Sequence, residues 1–371
     1  MSAKRTVVVL FGGQSDEHEV SLVSAHAVMS GLNPERYTVL PVGITREGRW
    51  IVGPGAHAAL VAAADQARLP TSFVPAGAGS PASATDILAL PARPDGQRLP
   101  TASHLLPAEV DVVFPVLHGP MGEDGSVQGL LELAGVPYVG CGVAASAVGM
   151  DKALMKAAFA AAGLPVLPWL LVRRSELQAN EAAVCERVEA ALRYPVFVKP
   201  ANMGSSVGVG KAKDRAGLRA AFAEAARYDR RIVVEQGILA REIEISVLGN
   251  EAPEASVPGE VVPSGEWYDY AAKYLDGASQ ILIPAPIDAH LAERVRDLAI
   301  RAFLAIDGAG LARVDFLLDK ETGELWLNEV NTMPGFTPIS MYAKMWAASG
   351  LDYPALLDRL IELALERKQS V

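Results

Sequence analysis

Residues 311–341, LARVDFLLDKETGELWLNEVNTMPGFTPISM, hold the side chains best suited to chemistry. The stretch reads as two strands joined by a polar turn, DKETG. Side chains alternate along a strand, so Arg313 and Asp315 share a face of the first strand, and Glu329 and Asn331 share a face of the second. A hairpin centred on residue 321 sets Arg313 opposite Glu329 and gathers all four on one surface. Val314, Phe316, Trp326 and Val330 then fill the buried face. An odd slip in register sends one polar pair to the far side. Two carboxylates and an amide oxygen form a hard oxygen site, suited to Mg2+ held together with substrate phosphates. An arginine beside them suits negative charge that develops during reaction. A surface hairpin whose charges simply pair would use the same residues. The Gly/Pro-rich NTMPGFTPIS straight after the acids favours a site, because sites are built on loops carried by rigid strands.

Elements that could position this face occur along the whole chain. RTVVVLF (5–11) is a nearly continuous apolar run, as in a buried parallel strand. GGQSDEHEVS follows, and the spacing of Val20, Val23, Ala27 and Val28 predicts a helix starting near Asp16. A strand, a glycine turn and a helix start form a natural ligand edge. Glu17 and Glu19 lie in the first turn, where the helix dipole favours acids; that role suffices for Glu19, whereas Glu17 either helps the helix start or faces a ligand ammonium. YTVLPVGI (37–44) is a second strand and GRWIVG (48–53) a hairpin-like segment. Residues 54–108, rich in Ala, Pro and Gly, read as an insertion with one helix and one or two strands. VDVVFPVLH (110–118) restores the buried-strand pattern, followed by a glycine turn, a helix over about 124–134 and a short strand at 137–139. His118, at that strand's carboxyl end, is either structural or a phosphate or substrate contact. Helices follow near 143–149 and 151–162, with Asp151 as N-cap and Gly163 as the residue past the C-cap. Lys152 sits in a first turn where the dipole disfavours a cation, which suits an anion held jointly by lysine and helix.

YPVFVKPANMGSSVGVGK (194–211) is the second strong signal: a strand ending in Lys199-Pro200, then a Gly/Ser loop whose N–H groups could approach phosphate. It lacks the GxxxxGK(S/T) pattern, and a plain hairpin with a long loop is the alternative. An amphipathic helix (214–227) leads to RIVVEQGILAREIEISVLG (231–249), where Glu235 ends one strand and Glu242 begins the next. Such a linker offers main-chain groups to a purine and a carboxylate to ribose hydroxyls. WYDYAAKYLDG (267–277) reads as a lid, because Tyr268, Tyr270 and Tyr274 beside Lys273 are costly to leave exposed. Helices 288–306 and 353–367 read as core packing.

The 371 residues suffice for two or three domains. Lys and Arg total 33 against 43 Asp and Glu, a net charge of −10, which argues against nucleic acid or an anionic membrane as main partner. Cys141 and Cys185 show neither a disulfide framework nor metal-ligand spacing and read as buried thiols in a reducing compartment. No apolar run approaches the roughly 20 residues needed to span a bilayer. The expectation is a cytoplasmic protein without a signal peptide.

Together FGGQSDEHEVSL, HGPMGEDGSVQG, YVGCGVAASAVGMDK, VKPANMGSSVGV, the WYDYAAKY lid, ARVDF and NEVNTMPGFTPIS resemble the D-alanine–D-alanine ligases of the ATP-grasp superfamily, from Thr6 to about Leu356. The resemblance implies an α/β fold of three-domain ATP-grasp architecture: an N-terminal Rossmann-like parallel sheet (1–141, with the insertion 54–108) and two α+β lobes sandwiching ATP (142–234 and 235–371, with lid loop 264–280). It implies ATP-driven formation of D-alanyl-D-alanine for peptidoglycan through a D-alanyl phosphate, with two Mg2+ ions, Mn2+ as a substitute, and a homodimer. Carried over residue by residue, Glu17 would hold the first D-alanine's ammonium in a set with Ser205 and Tyr268 that fixes the lid. Lys152 and Lys199 would contact ATP phosphates and Lys273 the transferred phosphate. Glu235, with backbone groups of Gln236 and Ile238, would read adenine, and Glu242 would take the ribose hydroxyls. Asp315, Glu329 and Asn331 would ligate the metal, Arg313 and the Gly335 N–H would form the oxyanion site, and Ser340 with the Met341 N–H would bind the second substrate's carboxylate. Tyr274 favours an amine over a hydroxyl nucleophile. Ligases making D-alanyl-D-lactate or D-alanyl-D-serine are the near alternatives, and a nucleotide-binding regulator without turnover is the distant one.

Overall fold

Buried apolar runs become strands and periodic stretches become helices, arranged on three sheets. The computed structural model describes residues 4–66, 85–86, 110–204, 206–263, 280–336 and 340–369, with side chains throughout except at 63–66 and 85–86. The first sheet draws on β1 (Arg5–Gly12), α1 (His18–Gly31), β2 (Tyr37–Ile44), β3 (Trp50–Val52), α2 (Ala56–Gln66), β4 (Thr85–Asp86) and β5 (Val112–Pro115), in strand order β4-β3-β2-β1-β5. β1 pairs in parallel with β2 and β5, as their apolar runs predict. β3 and β4 are antiparallel, so the expected parallel sheet carries an antiparallel edge. Of the segment 54–108, the structure describes α2, β4 and the short stretch before α2.

The turn after β1 needs glycine. Gly12 has φ +88°, and a Cβ there would lie 2.2 Å from the Ile44 carbonyl oxygen. On α1 the buried stripe is Ser21, Leu22, Ser24, Ala25 and Val28, while the predicted Val20, Val23 and Ala27 are half-buried. Small hydroxyls win this face because they satisfy backbone: Ser21 Oγ accepts from the Gly12 N–H (2.8 Å) and donates to Val116 O (2.5 Å).

Three helices lead out of this unit: α3 (Ser126–Ala134), α4 (Val143–Met150) and α5 (Lys152–Ala161). The strand expected at 137–139 is a single bridge, Val113 to Tyr138. Asp151 caps α5 as expected, accepting from the Ala153 and Leu154 N–H groups at 3.0 Å.

The second sheet contains β6 (Trp169–Arg173), β7 (Val196–Pro200), β8 (Gly210–Ala212) and β9 (Arg231–Gln236), in the antiparallel order β6-β9-β7-β8. Helices α6 (Arg174–Ala191) and α7 (Arg215–Tyr228) connect its strands. The sequence reading missed α6. The helix is half polar, breaks at Asn180 (φ −161°), restarts where the Asn180 side chain accepts from the Ala183 N–H, and buries only Val184, Cys185 and Val188.

The third sheet contains β10 (Ala240–Gly249), β11 (Glu254–Ala255), β12 (Gly259–Val262), β13 (Gln280–Leu282), β14 (Gly310–Asp319) and β15 (Leu325–Asn331), with main order β13-β12-β10-β14-β15. Helix α8 (Ala289–Ala305) buries Val295, Leu298, Ala302 and Phe303 against it, at the helical spacing expected. Helices α9 (Met341–Ala348) and α10 (Tyr353–Gln369) end the chain. β12 and β13 pair at Val262 and Gln280. The lid residues Tyr268, Tyr270, Lys273 and Tyr274, and Ser205 of the phosphate loop, lie outside the described residues.

The cores interlock. Phe336, Tyr342, Leu356, Leu357 and Leu360 join Val7, Val9 and Phe114, so the last helix packs back onto the first sheet. Met155 and Phe159 of α5 belong to the third sheet's core. Cys141 and Cys185 are buried free thiols. Among the described residues, no helix is long and apolar enough to cross a membrane.

Candidate active site

The hairpin β14–β15 does gather its polar residues on one face, though by a register that alternation alone does not give. Arg313 pairs with Asn331 and Asp315 with Glu329, whereas Phe316 pairs with Leu327 and Leu317 with Trp326. Asn328 is the extra residue, a β-bulge. The bulge changes which face the rest of β15 presents. Leu325 and Leu327 are buried before it and Val330 after it, leaving Glu329 and Asn331 beside Asp315 and Arg313. Two expectations are thereby corrected. Arg313 stands opposite Asn331 rather than Glu329, and Trp326 is half-buried on the other face, with Leu327 in its place in the core.

β10 extends this face. Glu244 pairs with Asp315 and Ser246 with Arg313, so Glu244, Asp315 and Glu329 stand side by side on three neighbouring strands. Like charges directly opposite repel. Arg313 offsets them: its Nε and Nη2 donate to the two Asp315 oxygens at 2.7 and 2.6 Å, and its Nε lies 3.1 Å from Glu244 Oε2. Burial opposes the charge on Arg313, but Asp315 and Glu244, with Glu329, outweigh it and hold the guanidinium well above its ordinary pKa.

The donor set fits a hard cation. Among the described residues, no group of three or more His, Cys, Asp or Glu is arranged to hold a metal by itself. Two carboxylates plus the Asn331 amide are what Mg2+ shared with phosphates and water requires. Each Asp315 oxygen keeps a second acceptor direction beyond its bond to Arg313. The Asn331 Oδ1 accepts from the Met333 N–H at 3.0 Å, which orients the amide.

The second sheet supplies cations. Lys199, at the end of β7, donates to Glu235 Oε2 at 2.6 Å, and Lys156 of α5 pairs with the other oxygen of the same carboxylate. Glu235 is 2% exposed. Burial disfavours its charge, yet Lys156 and Lys199 outweigh burial and hold it down at about 2. Burial lowers the pKa of Lys156, whereas at Lys199 the carboxylates of Glu235, Glu329 and Glu242 outweigh burial and raise it. Lys199 thus feels the acids of the third sheet. Glu235, expected to read adenine, gives one oxygen to each of these two lysines. The Gln236 N–H is spent on Pro168 O (2.9 Å), and its side chain is tied to Arg193 and Pro195. Lys152 Nζ donates to Met203 O at 2.6 Å, latching the glycine loop to α5.

Sequence reasoning missed two residues of this cluster. Lys156 lies one helical turn beyond Lys152, and Glu244 is two residues beyond Glu242 on the same face of β10, with Ile243 and Ile245 buried on the other. Both spacings were legible signals.

Glu17 lines a cavity of about 220 Å³, with Ser15 and Met121 on one side and Met203 and Gly204 on the other. It occupies the N-cap position of α1 without a side-chain capping bond. Glu19, by contrast, pairs with Arg46 on the surface. His118 is buried, its Nε2 lies 3.2 Å from Ser24 Oγ and its Nδ1 3.7 Å from Glu123. Burial lowers its pKa, but Glu123 and Glu17 reverse that and raise it. Ser24 Oγ also accepts from the Phe336 N–H at 3.3 Å, tying α1 to the loop that carries Gly335. Ser340, at the N-cap of α9, donates its hydroxyl to the Gly335 carbonyl, and Met341 opens that helix.

Residues 6–141 match the family described as D-ala D-ala ligase N-terminus, and residues 158–362 the one described as D-ala D-ala ligase C-terminus. The chain is 51% identical to the D-alanine–D-alanine ligase of Heliobacterium modesticaldum over 377 residues, covering 98% of this chain and 95% of that protein. It is 48% identical to the D-alanine–D-alanine ligase of Geobacillus kaustophilus over 366 residues, covering 99% and 96%. Among solved structures it is similar to the D-alanine–D-alanine ligase from Coxiella burnetii (TM-score 0.78, 36% identity, 99% and 95% covered). It is also similar to the VanG D-Ala:D-Ser ligase from Enterococcus faecalis (TM-score 0.81, 34% identity, 98% and 100% covered). With both family segments matched in order and about half its residues identical to such ligases over nearly their full length, the chain belongs to the D-alanine–D-alanine ligase family and has the ATP-grasp fold.

Proposed function

We propose that the chain joins two D-alanine molecules into D-alanyl-D-alanine, driven by conversion of ATP to ADP and phosphate. The observation that carries this is Arg313, held by Asp315 and Glu244 on an otherwise acidic face. An arginine beside the metal ligands suits a reaction that passes through an oxyanion. D-alanine as the second substrate is favoured over D-serine or D-lactate because the relatives near 50% identity carry the D-alanine–D-alanine name, and the D-serine ligase is 34% identical.

ATP lies between the second and third sheets. Lys152 and Lys199 meet its phosphates, Glu242 its ribose hydroxyls, and the main chain at Gln236 and Ile238 its adenine. Asp315, Glu329 and Asn331 would hold two Mg2+ ions, or Mn2+, which would supply neutralisation of phosphate charge for phosphoryl transfer. Glu17 holds the first D-alanine by its ammonium, in a set with Ser205 and Tyr268, and Lys273 accompanies the transferred phosphate. A carboxylate oxygen of that D-alanine attacks the γ-phosphorus and ADP leaves, giving an acyl phosphate. Closure over the site by 264–280 keeps this intermediate from water. The second D-alanine, its carboxylate on Ser340 and the Met341 N–H at the start of α9, attacks the acyl carbon with its amine and loses a proton. Arg313 and the Gly335 N–H stabilise the tetrahedral oxyanion, and phosphate departs as the carbonyl re-forms. The same reading divides the chain at 1–141, 142–234 and 235–371 and has it act as a cytoplasmic homodimer.

The test is phosphate release from Mg-ATP with D-alanine, L-alanine, or D-alanine plus D-lactate or D-serine, with products identified by mass. Release that requires D-alanine and yields the dipeptide is expected. Release indifferent to D-alanine would remove the amino-acid half of the reading, and a mixed product in preference to the dipeptide would change the acceptor.

A further inference from the structure

Lys156 is an ammonium placed where a helix ordinarily buries an apolar side chain. It is 1% exposed, on the face of α5 that also buries Ala153, Met155 and Phe159. Taking such a charge from water costs several kcal/mol unless it is paired, and an apolar residue of similar volume is often no worse for stability. Its partner is Glu235, equally buried, and Glu235 has a second partner in Lys199, the most open of the three at 16% exposure. The carboxylate is divided, with Oε1 on Lys156 and Oε2 on Lys199. The cluster of three carries one positive charge in excess, and the member nearest the cleft is Lys199.

We propose that Lys156 is a positioning residue for nucleotide binding: by holding one oxygen of Glu235 it keeps that carboxylate from closing on Lys199 with both, so the charge of Lys199 is presented to phosphate. The proposal rests on Lys199 being a phosphate contact. A carboxylate left with one lysine draws that ammonium onto both oxygens, neutralises it and turns it away from the cleft. The direction of the pKa shifts agrees, since Lys199 is raised and Lys156, the deeper charge, is lowered. Lys152, one turn earlier, latches the glycine loop at Met203, so α5 sets both the loop and the lysine that face the phosphates.

The test is equilibrium binding of Mg-ATP without D-alanine, together with Michaelis constants and thermal unfolding, for Lys156→Met, Lys156→Met/Glu235→Gln and Lys199→Met. Lys156→Met is expected to weaken ATP binding about tenfold or more, while the Michaelis constants for D-alanine stay within about twofold. Adding Glu235→Gln is expected to restore ATP affinity to within about threefold of wild type, because a neutral amide leaves the Lys199 charge unspent. ATP binding unchanged in Lys156→Met, or no recovery in the double variant, overturns the proposal. A purely structural role moves the unfolding temperature and all Michaelis constants together and gives no such recovery. Should Lys156→Met be too unstable to assay, the double variant decides alone, and a loss beyond about threefold is fatal. Lys199→Met separates the two levels. Wild-type ATP affinity there removes Lys199 from the phosphates, whereas weakened binding there with unchanged affinity in Lys156→Met removes only the positioning role.

Discussion

Replacing Arg313 by alanine perturbs two properties that can be read separately. The first is turnover. Removing one donor aimed at a developing oxyanion costs about 3–4 kcal/mol, so turnover at saturating substrates falls about 10²- to 10³-fold. ATP affinity stays close to wild type, because Arg313 contacts Asp315 and Glu244 rather than the lysines that face the phosphates. The second is the acidic row. Without the guanidinium, Glu244, Asp315 and Glu329 lie on adjacent strands without their shared cation. The broken pair is largely buried, with Arg313 18% and Asp315 12% exposed, so unfolding becomes easier by about 3–5 kcal/mol. The same loss leaves a more anionic site for Mg2+. A cation at a hundred times its dissociation constant returns about 2.7 kcal/mol, so the variant's unfolding temperature should climb with added Mg2+ more steeply than the wild type's. The assays are ATP binding, turnover at saturation, and thermal unfolding across a Mg2+ series at saturating ADP. Collapsed ATP affinity with normal saturated turnover would refute the oxyanion role. An unfolding temperature indifferent to Mg2+ would refute the assignment of Asp315 and Glu329 as metal ligands.

Three further outcomes follow from the geometry. Glu17→Gln removes a charged partner of the first D-alanine and should raise that Michaelis constant about 10- to 100-fold, with little change for ATP; equal changes in both would cancel the assignment. Gly119→Ala should have a milder effect of the same kind, about tenfold, because its Cβ would sit 2.8 Å from Glu17 Oε2 at a backbone φ of +75°; unchanged D-alanine kinetics would mean Glu17 does not depend on that gap. Glu235 is held at about 2 against an ordinary 4.5. An acid lowered in the folded state stabilises above 4.5 and loses that contribution as pH falls towards 2, on the order of 3 kcal/mol over the window. Denaturant midpoints of wild type and Glu235→Gln should therefore converge between pH 5 and pH 3, and a constant gap would contradict the buried pairing.

Elements whose pattern is local were legible in the sequence. The apolar runs of β1 and β2 and the 3.6-residue spacing on α8 state their own structure, as does the Asp151 cap. Much of the site was legible as a set of residue types, because acids, an arginine and lysines at strand ends have few structural uses. What was not legible depends on partners far along the chain. His118 ends a strand, and the Ser24 hydroxyl that meets its ring lies 94 positions earlier. Glu235 ends a strand, and the Lys156 ammonium that meets its carboxylate lies 79 positions earlier.

The hairpin shows where the limit lies. On β14 the side chains in the third sheet's core are Ala312, Val314, Phe316 and Leu318, a period of two. On β15 they are 325, 327 and 330, so the parity changes between Leu327 and Val330. A strand without a bulge cannot change parity, so those three apolar positions already require an extra residue at Asn328 or Glu329. Centring the hairpin on its turn ignores that requirement and gives Arg313 the wrong partner, although the even error keeps all four polar residues on one face. The functional face is therefore fixed by the core beneath it. Val330 must be buried, so Glu329 and Asn331 must turn outward beside Asp315 and Arg313, and Asn328 takes up the odd residue.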